Sequence, residues 1–231
     1  MDWNIFEDNS WLMSFGERAA LEGILSLIRP SLAVEVGSWM GGGLERTALY
    51  ADEVHSFDLV VPDRPSVLND PKVTLHTGDS HVLLAPWLAE QARDERVVDY
   101  ILIDGDHSAE GAAKDIGEVL SSTAFSGVML IHDTFNPEVR AGVELVRPEQ
   151  FPYVRYVDLD FVTGILIRRP GEAQNEMWGG LGLIVVDRFD QLGQITSGAL
   201  EGAGPWQDKS YDVFGFVKPV RDLLQRSAAA A

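Results

Sequence analysis

Two apolar runs in the chain finish in carboxylates and histidines. DYILIDGDHSAEG, residues 99–111, passes from Tyr100–Ile103 straight into Asp104, Gly105, Asp106 and His107, and GVMLIHD, residues 127–133, ends in His132 and Asp133. Short apolar runs of this kind read as buried strands, so their polar tips fall where a sheet ends. Two carboxylates held close repel each other unless a cation or a shared proton intervenes. The chain has no cysteine, so any metal site is built from oxygen and imidazole nitrogen, donors that suit Mg²⁺ or Mn²⁺. Asp104, Asp133 and His132 are the candidate ligands. His107, three residues after Asp104, stands where it can take a proton. His55, His76 and His81 have no such company and read as structural or surface residues.

A second set of chemistry-bearing residues lies earlier. VEVGSWMGGG, residues 34–43, carries glycines where a strand would turn into a helix, and Asp58 follows Gly37 by 21 positions. Glycine there lets the backbone turn tightly and approach a ligand, and an acidic residue at that spacing meets a ribose hydroxyl. A dinucleotide fingerprint starting at Gly37 would need glycine at position 39, which is Trp39. The missing glycine is the one that admits a pyrophosphate, so a nucleotide-like ligand without a pyrophosphate fits better.

The elements that must position these residues alternate. Ser14 and Glu17 have capping-box spacing ahead of Leu21, Ile24, Leu25 and Ile28 at helical intervals, with Pro30 as the stop. LAVEVG, EVHSFDL, VTLHTGDS, VVDYILID and GVMLIHD read as five strands separated by helical segments, among them HVLLAPWLAEQARDE, interrupted or entered near Pro86, AEGAAKDIGEVLSS, and NPEVRAGVELV with proline at its start. The pattern predicts an α/β fold: a Rossmann-like, doubly wound, mainly parallel sheet. YVRYVDLD and VTGILIR leave no room for a helix between them and are expected to pair as a closing antiparallel hairpin. One domain is expected over 1–231, with a helical cap at 1–30, a cofactor-binding core at 31–169, and a glycine- and aromatic-rich extension at 170–231 that serves as lid, dimer arm or added packing.

E-V-G-S-W-x-G-G-G resembles the first motif of class I S-adenosylmethionine-dependent methyltransferases. IDGDHSAEGAAKDI is similar to the I-D-G-x-H-x-Y-x-x-x-x-x-D element of one branch, with Ala109 where tyrosine is common. SGVMLIHDTF is similar to its G-G-x-x-x-x-H-D element, with Ser126 in place of the first glycine. That branch includes metal-dependent sugar and macrolide O-methyltransferases and proteins like those of cephalosporin biosynthesis, and the resemblance covers roughly residues 30–170. It implies a seven-stranded sheet with a reversed final strand, S-adenosylmethionine as cofactor, and Mg²⁺ or Mn²⁺. Residue by residue it places Glu35 and Gly37 along the methionine moiety, Ser38 among the cofactor contacts, Asp58 on the ribose hydroxyls, Asp79 and Ser80 at the adenine, Asp104 at cofactor, metal and catalysis, and His107 as the base. Asp79 is also well placed to cap the helix beginning near His81.

Composition narrows the partners. A net charge of −18 over 231 residues repels phosphate backbones and anionic membranes, so neither nucleic acid nor membrane is expected. No run approaches the ~18 apolar residues of a membrane span, and the acidic start MDWNIFEDNSW is unlike a signal peptide; a cytoplasmic protein is expected, as a homo-oligomer, most simply a dimer. The expected acceptor is a hydroxyl of a small molecule or saccharide, with Trp178, Trp206 and Tyr211 as candidate stacking or packing residues and a catechol-type aryl acceptor as the alternative. Three other readings stand beside it. Asp/His clusters also serve two-metal phosphoesterases, the glycine loop is partly shared with nicotinamide oxidoreductases, and a cofactor-binding protein without turnover needs the same pocket.

Overall fold

A computed structural model describes residues 11–167 and 176–190. Six helices and nine strands run in the order α1 (Phe15–Ile28), β1 (Leu32–Val36), α2 (Gly42–Tyr50), β2 (Glu53–Asp58), α3 (Pro65–Leu68), β3 (Val73–Thr77), α4 (Ser80–Arg93), β4 (Val98–Ile103), α5 (Ala109–Ser121), β5 (Phe125–His132), α6 (Pro137–Val146), β6 (Val154–Val162), β7 (Ile165–Leu166), β8 (Met177–Trp178) and β9 (Leu181–Val186). Helix starts are set locally. Ser14 and Glu17 form the capping box of α1. Asp79, Ser108 and Asn136 each accept a backbone N–H at the head of α4, α5 and α6, and Pro137 opens α6 where its missing N–H costs nothing. Pro86 lies inside α4 without ending it.

The main sheet has seven strands in the order β3-β2-β1-β4-β5-β9-β6. Pairings from β3 through β5 are parallel, and β9 is antiparallel to both neighbours. Side chains alternate across it. Leu32, Val34 and Val36 of β1 join Ile101 and Ile103 of β4 in a core with α4, α5 and α6. Ala33 of β1, with Tyr100 and Leu102, packs on the other face under α1 and α2. Each face is therefore covered by helices, as a doubly wound sheet requires. The chain reverses direction across the sheet between β1 and β4, so the switch-point crevice opens above their carboxyl ends.

The closing hairpin differs from the sequence expectation. The antiparallel partner of β6 is β9, not the VTGILIR segment, whose Ile165 and Leu166 pair instead with Trp178 and Met177 in a separate two-stranded sheet. The reason is packing. Gly164, between β6 and β7, lies so close to Phe135 and Trp178 that a Cβ there would meet them at 2.5 and 2.6 Å, so the chain passes there only without a side chain. LGLIVV is buried at all six positions, as a strand covered on both faces must be. The core sheet thus extends past residue 169 to Val186. Residues 170–175 and 191–231 of the expected extension, with Trp206 and Tyr211, lie outside the described residues. Among the described residues no helix is long and apolar enough to cross a membrane.

One glycine is fixed by strand crossing alone. Gly37 leaves β1 with φ 81°, and a Cβ on it would sit 2.0 Å from the carbonyl oxygen of Asp104. Gly23, inside α1, has nothing within 4 Å of the same position. Gly37→Ala is expected to destabilise the fold by roughly 3 kcal/mol or more, through overpacking and backbone strain. Gly23→Ala is expected to stabilise it by about 0.5–1 kcal/mol. Urea unfolding of the two variants checks both signs.

Candidate active site

The carboxyl ends of β1, β2, β3, β4 and β5 converge on one cavity of about 930 Å³. All ten residues singled out from the sequence line it. Glu35 stands near the end of β1, Asp58 ends β2, Asp79 and Ser80 follow β3, Asp104 and His107 follow β4, and His132 and Asp133 close β5.

At the glycine-loop end, Asp58 clasps the turn itself. Its Oδ2 accepts the backbone N–H of Ser38 at 2.6 Å and of Trp39 at 2.9 Å, and its Oδ1 accepts that of Val60 at 2.9 Å. These bonds hold Trp39 in the left-handed region (φ 47°) with its side chain facing outward, 68% exposed. Asp58 therefore shapes the loop before it touches any ligand. Asp79 and Ser80 also have internal work. Asp79 caps α4 through the N–H of His81, and the Ser80 hydroxyl donates to Asp115 Oδ1 at 3.0 Å. Asp115, the closing aspartate of the D-G-x-H element, to which the sequence reading gave no role, is fully buried, and burial pushes its carboxyl up to about 6. His55 and His76 stack with each other, His76 stacks on Phe57, and both rings lie against Trp87, a structural role as expected. His81 instead lines the cavity, with Nε2 3.6 Å from Asp115.

Glu35 is 2% exposed. Burial, reinforced by the negative charge of Asp104, raises its carboxyl to about 8. Its Oε2 has no hydrogen-bond partner among the described residues.

At the opposite end, charge is concentrated around two imidazoles. His132 Nδ1 lies 2.9 Å from Asp104 Oδ1 and 3.4 Å from Asp133 Oδ2, and its Nε2 lies 3.3 Å from Glu17 Oε1. Burial disfavours its cation, but the three carboxylates outweigh burial and raise its pKa well above the usual histidine value. Burial likewise opposes ionisation of Asp104, and the two imidazoles win, bringing it down to about 2. His107 is the more open ring. Its Nε2 is 3.2 Å from Asp133 and 3.5 Å from Asp104, and its edge meets the ring of Trp178. Asp104, more than burial, governs it and raises its pKa. The donor atoms of Asp104, His107 and Asp133 all lie within 4.8 Å of one another, close enough to meet one ion. It is thus His107 that shares this open group with the two carboxylates, whereas His132 is enclosed between Asp104 and Glu17.

Glu17 was visible in the sequence only as a capping residue. It is 2% exposed, reaches His132, and accepts the N–H of Gly180, while Asp133 accepts the N–H of Gly179 at 2.5 Å. Nothing in local spacing signals these contacts, which join segments more than 40 residues apart. Trp11, Trp178 and Ile165 also line the cavity without a sequence motif to mark them.

The order of strands, the crevice above the switch point and an acidic residue ending β2 define a Rossmann-like, doubly wound α/β fold with its cavity at the switch point. Residues 34–134 match the model of a family described as a methyltransferase domain. The matched span runs from β1 to just past the tip of β5 and holds the motifs that resemble class I S-adenosylmethionine-dependent methyltransferases. It is similar to an O-methyltransferase from Bacillus cereus solved in complex with SAH, at 15% identity and a TM-score of 0.55, over 81% of this chain and 92% of that one. The cofactor-bound protein Rv0187 from MTB matches at 14% identity and 0.52, over 75% and 81%. The MycE methyltransferase of the mycinamycin biosynthetic pathway, in complex with Mg, SAH and mycinamycin VI, matches at 14% and 0.50, over 78% of this chain and 52% of that one. No curated protein sequence matches the chain.

The raised Glu35 carboxyl has a consequence for stability. An acid whose folded pKa exceeds its unfolded value stabilises the fold below the unfolded pKa and loses that contribution as pH rises through the folded one. Here the window runs from about 4.5 to about 8. Ligand-free Glu35→Gln is expected to match the parent's urea midpoint near pH 4.5 and exceed it at pH 8.5. Parallel midpoint-versus-pH curves would contradict the assignment.

Proposed function

We propose that the protein is an S-adenosylmethionine-dependent O-methyltransferase acting on a hydroxyl of a small molecule or saccharide. The observation that carries this reading is that Asp58 with its glycine loop and the Asp104–His107–Asp133 group border the same cavity. One end suits an adenosine-bearing cofactor and the other suits a hydroxyl that must lose a proton. Methyl transfer from a sulfonium needs no protein nucleophile. It needs the acceptor oxygen in line with the methyl group and a base for its proton. His107 is the base in this reading. The carboxylates of Asp133 and Asp104, 3.2 and 3.5 Å from its Nε2, stabilise the imidazolium that forms.

The donor set also suits a hard divalent ion. Asp104 and Asp133 would hold Mg²⁺ or Mn²⁺, which orients an acceptor's oxygens and lowers a hydroxyl pKa, and would leave His107 as the base. The magnesium in the MycE complex supports this choice. A sugar hydroxyl is the preferred acceptor, with Trp178 beside His107 offering an aromatic surface. A catechol-type aryl acceptor is the second reading, favoured by the apolar wall of Leu12, Ile165, Ile167 and Trp178.

A labelled-methyl assay across sugar, macrolide and catechol acceptors tests the reading. Chelation is expected to abolish transfer and Mg²⁺ or Mn²⁺ to restore it. His107→Ala is expected to lose ~10²–10⁴-fold in turnover, the usual worth of a general base, with cofactor binding intact. A base must be neutral to act, so the parent's rate should climb as pH rises through the raised His107 pKa, and the variant should lack that limb. A rate indifferent to chelator removes the ion from the account, and a fully active His107→Ala removes the base.

A further inference from the structure

At the glycine loop, two buried polar atoms face the same bare stretch of backbone. Trp11 is 3% exposed and its indole N–H has no acceptor among the described residues. Glu35 is 2% exposed and its Oε2 has no hydrogen-bond partner among them. A Cβ added to Gly43 would lie 3.4 Å from both Glu35 carboxylate oxygens and 3.6 Å from Trp11 Nε1. All three residues border the cavity. Buried indole N–H groups nearly always find an acceptor, and leaving one without costs about 1–3 kcal/mol. The unmet donor and the unmet acceptor point to a ligand with one group of each sign.

The surroundings agree. Gly43 is in the first turn of α2, a nine-residue helix whose N-cap, Gly41, has no side chain to cap it, and an open helix N-terminus favours a carboxylate. Trp11 is built into place rather than draped there. A Cβ on Gly42 would collide with it at 2.5 Å, the Arg18 guanidinium lies 5.2 Å over its ring, and Arg18 accepts no freedom from the segment either, since it binds the carbonyls of Trp11 and Met13. Gly42 therefore owes its identity to Trp11, and Gly43 leaves open the space that both polar atoms face.

We propose that Trp11 is a cofactor-binding residue: its indole N–H, with the first turn of α2, takes the carboxylate of the cofactor's methionine moiety while Glu35 takes the ammonium. This rests on the S-adenosylmethionine reading. It adds a contact from the segment before α1, outside the 34–134 family match.

Trp11→Phe keeps a ring against Gly42 and removes only the N–H. Calorimetry with S-adenosylhomocysteine and with 5′-methylthioadenosine, which lacks the amino-acid end, separates the roles. The variant is expected to bind S-adenosylhomocysteine roughly 10-fold or more weakly, as for a lost hydrogen bond to a charged group. It should bind methylthioadenosine as the parent does and keep the parent's ligand-free melting temperature. Gly43→Ala, a favourable change inside a helix, should produce the same selective loss by filling the shared space. Unchanged S-adenosylhomocysteine affinity in both variants overturns the proposal, as does an equal loss for both ligands, which would make Trp11 a packing residue. A parent protein that binds neither ligand fails the cofactor reading itself, whatever Trp11 does.

Discussion

Three carboxylates converge on one buried imidazole. Glu17 from α1, Asp104 from the end of β4 and Asp133 from the end of β5 all lie within 3.4 Å of a ring nitrogen of His132. Burying an ion costs several kcal/mol unless its partners replace the lost water, and no one of these four groups is tolerable there alone. The cluster fixes the spacing of β4 and β5 tips, ties the N-terminal helix to them, and through the N–H groups of Gly179 and Gly180 anchors the turn that carries Trp178 into β9. Removing His132 would take away the one ring that all three carboxylates share. The elements that line the acceptor side of the cavity are held by this single knot.

The cofactor side is built by a different constraint, close backbone approach. Gly37 crosses the carbonyl of Asp104 with no room for a side chain. Asp58 then holds the following turn by the N–H groups of Ser38 and Trp39, and α2 begins uncapped on the cavity. The two halves meet at Asp104, whose backbone packs on the glycine and whose side chain belongs to the knot. A cavity with a glycine loop at one end and a carboxylate–imidazole cluster at the other is joined through that shared residue.

Much of this was legible in the sequence where chemistry and local pattern coincide. Ser14 and Asp79 announce helix starts because capping is a three-residue matter, and Pro137 announces one by its missing N–H. The tips DGDH and HD announce a site because carboxylates do not end buried strands idly. The partner of β6 was not legible: LGLIVV is as apolar as any internal strand, but a two-residue hairpin and an intervening segment separate it from β6, and pairing across that distance leaves no local trace. The roles of the histidines were half legible. His107 and His132 look alike in sequence, and only the reach of Glu17 across the fold distinguishes the enclosed ring from the open one. Trp11 and Glu17 share that fate, since each is placed by contacts far along the chain.

Native mass spectrometry of the purified protein, offered equal S-adenosylhomocysteine and a nicotinamide dinucleotide, bears most directly on the claim that the cavity is a sulfonium-cofactor site. The account predicts a complex with one S-adenosylhomocysteine per chain and none with the dinucleotide, because Trp39 stands where a pyrophosphate would need glycine. A dinucleotide complex without a S-adenosylhomocysteine complex would contradict it.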